Sequence, residues 1–325
     1  MDLGLLITFS LLFAALFLLT GIGFSAPAVA VFCEAFSWKG KRKFWGKFAQ
    51  QLSRLGLICL SIFLLLLILG LSWDCYAQGL LLSPLSNLSL PQLILPFSLL
   101  ILGFALLLVY WASWKRLKKK KTAHFFLGLI SALSLACTFY LIEKITIKLL
   151  TAEPFAHLDP SRWFHWLKTF QAPVSPFFWP FFVQSILVIL GASGILGLIY
   201  LILRREKDVF GRDYYRWAAP FAAKWSFIFL PQILTYLWTY SIRPSDLKNS
   251  FLSIWFAFPC GLGLLLSLFA AIIWVTVINN PNPLRLKGRI VASAFLSWMA
   301  LASCVLGTTA GLWPSLLPLF QKSIN

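Results

Sequence analysis

Side chains able to do chemistry are scarce in this chain, which makes each one informative. It has three histidines, ten acidic residues and six cysteines among 325 residues. Glu143 is the carboxylate that falls clearly inside an apolar run, TFYLIEKITIKLL. An ionisable group at membrane depth is a functional candidate by default, because burying a charge in hydrocarbon is costly. Positioned beside a reacting hydroxyl, such a carboxylate would serve as a proton acceptor. Its place near the end of the run, followed by Lys144 and Lys148, allows a second reading, in which it reaches the headgroups. His165 and Arg162 lie in the segment DPSRWFHWLKTF. An imidazole can hold haem iron, alone or with a second axial ligand. Met299 lies about 15 Å deeper, at 1.5 Å per helical residue, so it is a poor partner for His165. His124 begins an apolar run beside a lysine cluster and reads as an interfacial residue. Gln232 follows Pro231, and its amide could bind a ligand or satisfy the carbonyl that the proline leaves unserved; the sequence favours the second reading.

Several chemistries are excluded by spacing. The cysteines, at 33, 59, 75, 137, 260 and 304, form no CxxC, haem-attachment or zinc pattern. Five lie in or at the edges of apolar runs as small hydrophobes, and Cys75 reads as a loop residue. No Walker loop, GxGxxG after a strand or HExxH occurs.

The elements that must position these residues are membrane helices. The chain is 60% hydrophobic and 12% charged, with mean hydropathy +0.84. A soluble domain is about 25% charged, so a soluble or disordered chain and a nucleic-acid binder are excluded. Eight apolar segments stand out: Leu3–Phe36, Gln51–Trp73, Leu90–Ser113, His124–Leu150, Phe177–Leu203, Trp217–Ser241, Ser250–Asn279 and Arg289–Leu312. In hydrocarbon every backbone amide needs an internal partner, and runs this long satisfy that need as helices. The expected fold is all-α, one polytopic bundle of eight transmembrane helices over residues 1–325. The N-terminal run is too long for a signal-peptide core and reads as a retained helix.

Charge orients the bundle. Basic stretches follow the first, third, fifth and seventh segments: Trp38–Arg54, Lys115–Lys121, Arg204–Lys224 and Arg285–Arg289. They hold 21 of the 28 lysines and arginines, against three of the ten acids, or four with the adjoining Glu34. Positive loops stay in the cytoplasm, so the expectation is a multi-pass protein of the cell inner membrane with both termini outside. Such loops also attract anionic headgroups. Tryptophans at segment ends form an aromatic belt.

The longest outer connection, 151–176, contains a candidate surface helix. Asp159 would cap it and Pro160 would open it. Trp163, Phe164, Trp166, Leu167 and Phe170 share one face, and Ser161, Arg162, His165 and Lys168 the other. Interruptions are expected at Pro27, Pro231 and Pro259. GASGILG, with Gly191, Gly194 and Gly197, predicts a close helix contact.

Three stretches carry a family resemblance: FCEAFSWKGKRKFWGKFAQQLSRLGLI, DPSRWFHWL and GRDYYRWAAPFAAKWSFIFLPQ. The chain resembles subunit I of cytochrome bd-type quinol oxidases, more closely the shorter bd-like membrane proteins associated with multihaem cytochromes c. The resemblance implies quinol binding near the outer face, a haem b ligated by His165, and electron transfer to periplasmic cytochrome partners. It does not extend to an oxygen-reducing site, because the first helix lacks the family's haem-ligating histidine. Glu143 and His165 are then the expected proton-accepting or hydrogen-bonding groups, with Arg162 and Gln232 as further contacts. A non-redox membrane anchor or assembly subunit is the second reading, consistent with the scarcity of buried charge. A small-molecule transporter is the third, supported by Pro231, Pro259 and the GLG at Gly261–Gly263.

Overall fold

The structure is a computed structural model that describes residues 3–38, 43–76, 90–114, 116–150, 170, 178–207, 210–241 and 254–322. The described residues are helical, with no strand among them. The α-helices are α1 Leu3–Ser37, α2 Lys43–Tyr76, α3 Leu90–Ser113, α4 Lys121–Leu150, α5 Phe178–Arg204, α6 Arg212–Ser226, α7 Gln232–Ser241, α8 Ile254–Asn279 and α9 Lys287–Lys322. Seven of them, α1 to α5, α8 and α9, carry apolar stretches of 22 to 32 residues, long enough to cross a membrane. The chain is a helical, multi-pass membrane protein by that criterion.

The sixth apolar segment differs from the others. In place of one helix over Trp217–Ser241, α6 ends at Ser226, a 3-10 turn covers Phe227–Phe229, and α7 starts after Pro231. Proline has no amide to offer the carbonyl four residues earlier. That carbonyl, on Phe227, is taken by the Leu230 amide at 3.1 Å. The amides of Ile233 and Leu234 likewise bond three residues back, at 3.2 and 3.0 Å. Tightening to the three-residue spacing keeps the break hydrogen-bonded. Pro27 and Pro259, by contrast, sit inside uninterrupted helices. One missing hydrogen bond is tolerated where packing holds a helix straight. Cys75 also lies in helical backbone, because α2 extends to Tyr76.

α1 is the central post, packed on α2, α4, α5 and α9. Lipid tails are as apolar as leucine, so close packing and interhelical hydrogen bonds must hold such a bundle. Ser25 of α1 donates to the Ile189 carbonyl of α5 at 2.8 Å and lies 2.6 Å from the Ser193 hydroxyl. Trp298 of α9 donates to the Leu11 carbonyl of α1 at 3.0 Å. The other face of α5 receives α6 and the 3-10 turn. A Cβ on Gly191 would stand 2.7 Å from the Phe229 backbone nitrogen, and one on Gly194 2.4 Å from that of Ser226. Ala218, Ala219, Ala222 and Ala223 of α6 are fully buried. GASGILG thus makes the close contact its composition predicts. Outward-facing leucines, isoleucines and phenylalanines such as Leu65, Ile68, Leu69, Phe258 and Phe269 cover the surface that hydrocarbon would meet.

The four basic connections meet at one end. Trp38, after α1, packs on Phe125 at the start of α4. Lys47 stands 5.0 Å over the Phe210 ring before α6. Arg212 bonds Asn282 of the α8–α9 connection at 2.7 Å.

Gly194→Ala should destabilise the detergent-solubilised protein by about 1–3 kcal/mol, because the blocking atoms are backbone and cannot step aside. Gly261→Ala, with open space around the new methyl, should leave the unfolding midpoint unchanged or slightly raised.

Candidate functional site

Two buried polar clusters stand at opposite ends of the bundle. The first lies at the basic end, where α1 and α3 finish and α4 begins. Glu34 accepts a hydrogen bond from the Tyr110 hydroxyl at 2.8 Å, and its other oxygen lies 2.7 Å from His124 Nδ1. His124 Nε2 lies 3.0 Å from the Tyr110 carbonyl oxygen. Both ring nitrogens thus face oxygen atoms, one of a carboxyl group and one of a backbone carbonyl. All three residues are buried, at 6%, 0% and 4% exposure for Glu34, Tyr110 and His124. The Trp114 ring stands edge-on to the imidazole with centroids 4.6 Å apart, and Tyr110 lies at 4.4 Å. Buried polar groups must be hydrogen-bonded to persist, and those of Glu34 and His124 each have a partner. The cluster ties three helices together.

This cluster corrects the interfacial reading of His124. The imidazole points into the bundle, where the Glu34 carboxyl offers it a hydrogen-bond partner that no local pattern around His124 announces. A signal was nevertheless present. Glu34 and Tyr110 fall within one helical turn of the basic ends of their segments, and His124 opens its own at that end, so they share a depth.

The second cluster occupies the half of the bundle away from the basic end. Gln184 of α5 donates to the Tyr236 hydroxyl of α7 at 2.6 Å. Cys260 of α8 and Cys304 of α9 flank that hydroxyl. Gln232 stands one turn before Tyr236 on the same face of α7 and is fully buried. Neither the oxygen nor the nitrogen of its amide has a partner. The Gln184 amide oxygen and the Trp274 indole N–H are buried and unpartnered as well. Trp274 stands apart from this cluster: it lies five residues from the basic end of α8 and packs edge-on to Phe227 of the helix break, centroids 5.5 Å apart. On the neighbouring face of α5, Ser185 hydrogen-bonds Glu143 of α4.

The break therefore overturns the favoured reading of Gln232. Its amide does not serve the freed carbonyl; 3-10 hydrogen bonds do, and the Thr235 hydroxyl serves the carbonyl of Gln232 itself. An unused donor and acceptor remain in the bundle interior, where each would cost about 1–3 kcal/mol if left unmet. Glu143 is half-buried and stays close, through Ser185, to the element that carries Gln184.

His165 and Arg162 lie outside the described residues, as does the proposed surface helix apart from Phe170. The Phe170 carbonyl accepts a bond from Tyr140 of α4 at 3.3 Å, which anchors that connection to the same end as the second cluster. Haem does not fit the described histidine, since both ring nitrogens of His124 are engaged. Among the described residues no group of three His, Cys, Asp or Glu is arranged to hold a metal ion. No known protein family matches this chain, and no curated protein matches it significantly.

His124→Ala should cost about 1–3 kcal/mol by leaving a buried oxygen of Glu34 without its partner. Glu34→Leu combined with His124→Leu should cost less than the two single changes added. A double-mutant cycle on thermal unfolding would detect the coupling; additive losses would show that the pair does not act as a unit.

Proposed function

We propose that this chain is the quinol-binding membrane subunit of a respiratory electron-transfer complex. The observation that carries this reading is the fully buried Gln232 amide with both polar atoms unpartnered. Small-molecule sites combine an apolar lining with a few convergent polar groups. A quinone head presents two carbonyl oxygens, and a quinol two hydroxyls, so it can both accept from and donate to an amide. The Gln184 oxygen adds one further acceptor beside Tyr236, one turn from Gln232. Glu143 supplies a carboxylate to accept a hydroxyl proton.

On this reading the sixth crossing is α6 and α7 together, giving eight crossings in the inner membrane. The basic end faces the cytoplasm and both termini lie outside. Quinol oxidation then occurs in the outer half of the bundle, releases two protons outward and yields two electrons. Those electrons pass to a haem-bearing periplasmic partner. The bd-like resemblance supports the same assignment, and His165 and Arg162 of the outer connection would border the site. A haem b on His165 stays part of the proposal and is separable from quinol binding.

A transport reading has one observation in its favour. Discontinuous helices beside polar groups are how many transporters form their substrate sites, and α6–α7 is discontinuous. Binding measurements separate the two.

Short-tailed ubiquinone and menaquinone analogues should bind the purified chain and raise its unfolding temperature. Gln232→Leu should weaken that binding about tenfold or more by removing two hydrogen bonds. The same change should leave the ligand-free protein equally or more stable, since it deletes an unmet buried amide. Glu143→Gln in the intact complex should slow quinol-dependent reduction with little change in analogue binding. Analogue binding that is absent from the native chain, or equal in the native and Gln232→Leu proteins, would refute the quinol reading.

A further inference from the structure

At the basic end, the connection between α5 and α6 faces the connection between α8 and α9 across a cleft of about 440 Å³. Four arginines line it: Arg205, Arg212, Arg216 and Arg285. None of the described lining residues is acidic. Arg212 and Arg216 are one turn apart on α6 and so share a face. Arg205 comes from the end of α5, and Arg285 from a 3-10 turn that opens with buried Pro283 and Leu284. Three separate parts of the chain thus contribute arginines to one concavity, which Pro283 and Leu284 also line.

The backbone adds to the same field. Gly211 is the N-cap of α6 and lines the cleft, with φ +79°, a left-handed conformation that favours glycine. No side chain caps the helix there. The first-turn amides of a fifteen-residue helix are therefore left for solvent or a ligand. A Cβ at Gly211 would meet nothing within 4 Å, so the space beside the helix terminus is open. Arg212 has its guanidinium oriented by the Asn282 side-chain oxygen at 2.7 Å.

We propose that this cleft is a binding site for a phosphate group, carried by the headgroup of an anionic phospholipid at the basic face of the membrane. Arginine presents a planar fork that matches two phosphate oxygens at once, and lysine does not. All four basic residues lining the cleft are arginines, while the Lys115–Lys121 stretch is mainly lysine. Four like charges converging on one cavity repel one another until an anion enters. Basic pockets at the membrane surface select anionic headgroups over zwitterionic ones by this means. Pro283 and Leu284 in the lining accommodate the glycerol region next to the phosphate.

The test uses the full chain in nanodiscs. Lipid retained after detergent extraction is measured by native mass spectrometry, from discs of phosphatidylglycerol mixed with phosphatidylcholine. The native protein should retain phosphatidylglycerol selectively. R216Q/R285Q should reduce that retention about tenfold or more, through loss of two charge-assisted contacts. K120Q/K121Q removes the same charge from the same end, outside the cleft, and should leave retention unchanged. R216K/R285K keeps the charge and should still lose most of the selectivity, and it serves equally if the glutamine pair fails to fold. Titration with glycerol 3-phosphate and with inorganic phosphate identifies the source. Competition by either at micromolar concentration would assign the site to a soluble phosphate and overturn the lipid headgroup. Equal losses in the lysine and arginine variants would reduce the cleft to general surface charge and overturn the site altogether.

Discussion

In hydrocarbon an unpaired polar group has no water to fall back on, so each one must be matched within the protein. This constraint organises the whole chain. It makes every apolar segment helical, and it holds α1 at the centre, where Ser25, Ser193 and the Leu11 and Ile189 carbonyls link helices that have little hydrophobic reason to associate. It also accounts for the break between α6 and α7. Pro231 removes one donor, and the chain tightens into 3-10 geometry so that the Phe227 carbonyl stays served.

The two polar clusters meet the same constraint in opposite ways. At the basic end, Glu34, Tyr110 and His124 satisfy one another, with an aromatic wall provided by Trp114. Such closure gives rigidity and leaves no ligand valence over. In the other half, Gln232 and Gln184 keep three polar atoms without partners. The saturated cluster is suited to holding helices together, and the unsaturated one to receiving a molecule. The α5 helix connects these roles. Its glycines let α6 approach on one side, and its Gln184 and Ser185 reach α7 and α4 on adjoining faces.

Close packing explains why the helix break can exist at all. Gly191 and Gly194 admit Phe229 and Ser226 to backbone distance. A bulkier α5 would push the 3-10 turn outward and carry Gln232 toward lipid. The position of a candidate ligand-binding amide thus depends on two missing methyl groups on another helix.

Helical class, membrane residence and the contact face of GASGILG were legible from residue order, because apolar length, backbone hydrogen bonding and small side chains act locally. The gathering of basic connections at one end was legible too, since antiparallel helices bring alternate loops together. Pro231 was readable as an interruption, whereas Pro27 and Pro259 gave the same signal without breaking their helices. What tertiary structure alone decided was which polar atoms find partners. His124 looked like a surface residue until Glu34, ninety positions earlier, closed on it. Gln232 looked occupied with its own backbone until the 3-10 turn and Thr235 relieved it. Hydrogen bonding is short-ranged and directional, so a one-dimensional order of residues states which groups need partners, and only their arrangement in space states which of them are met.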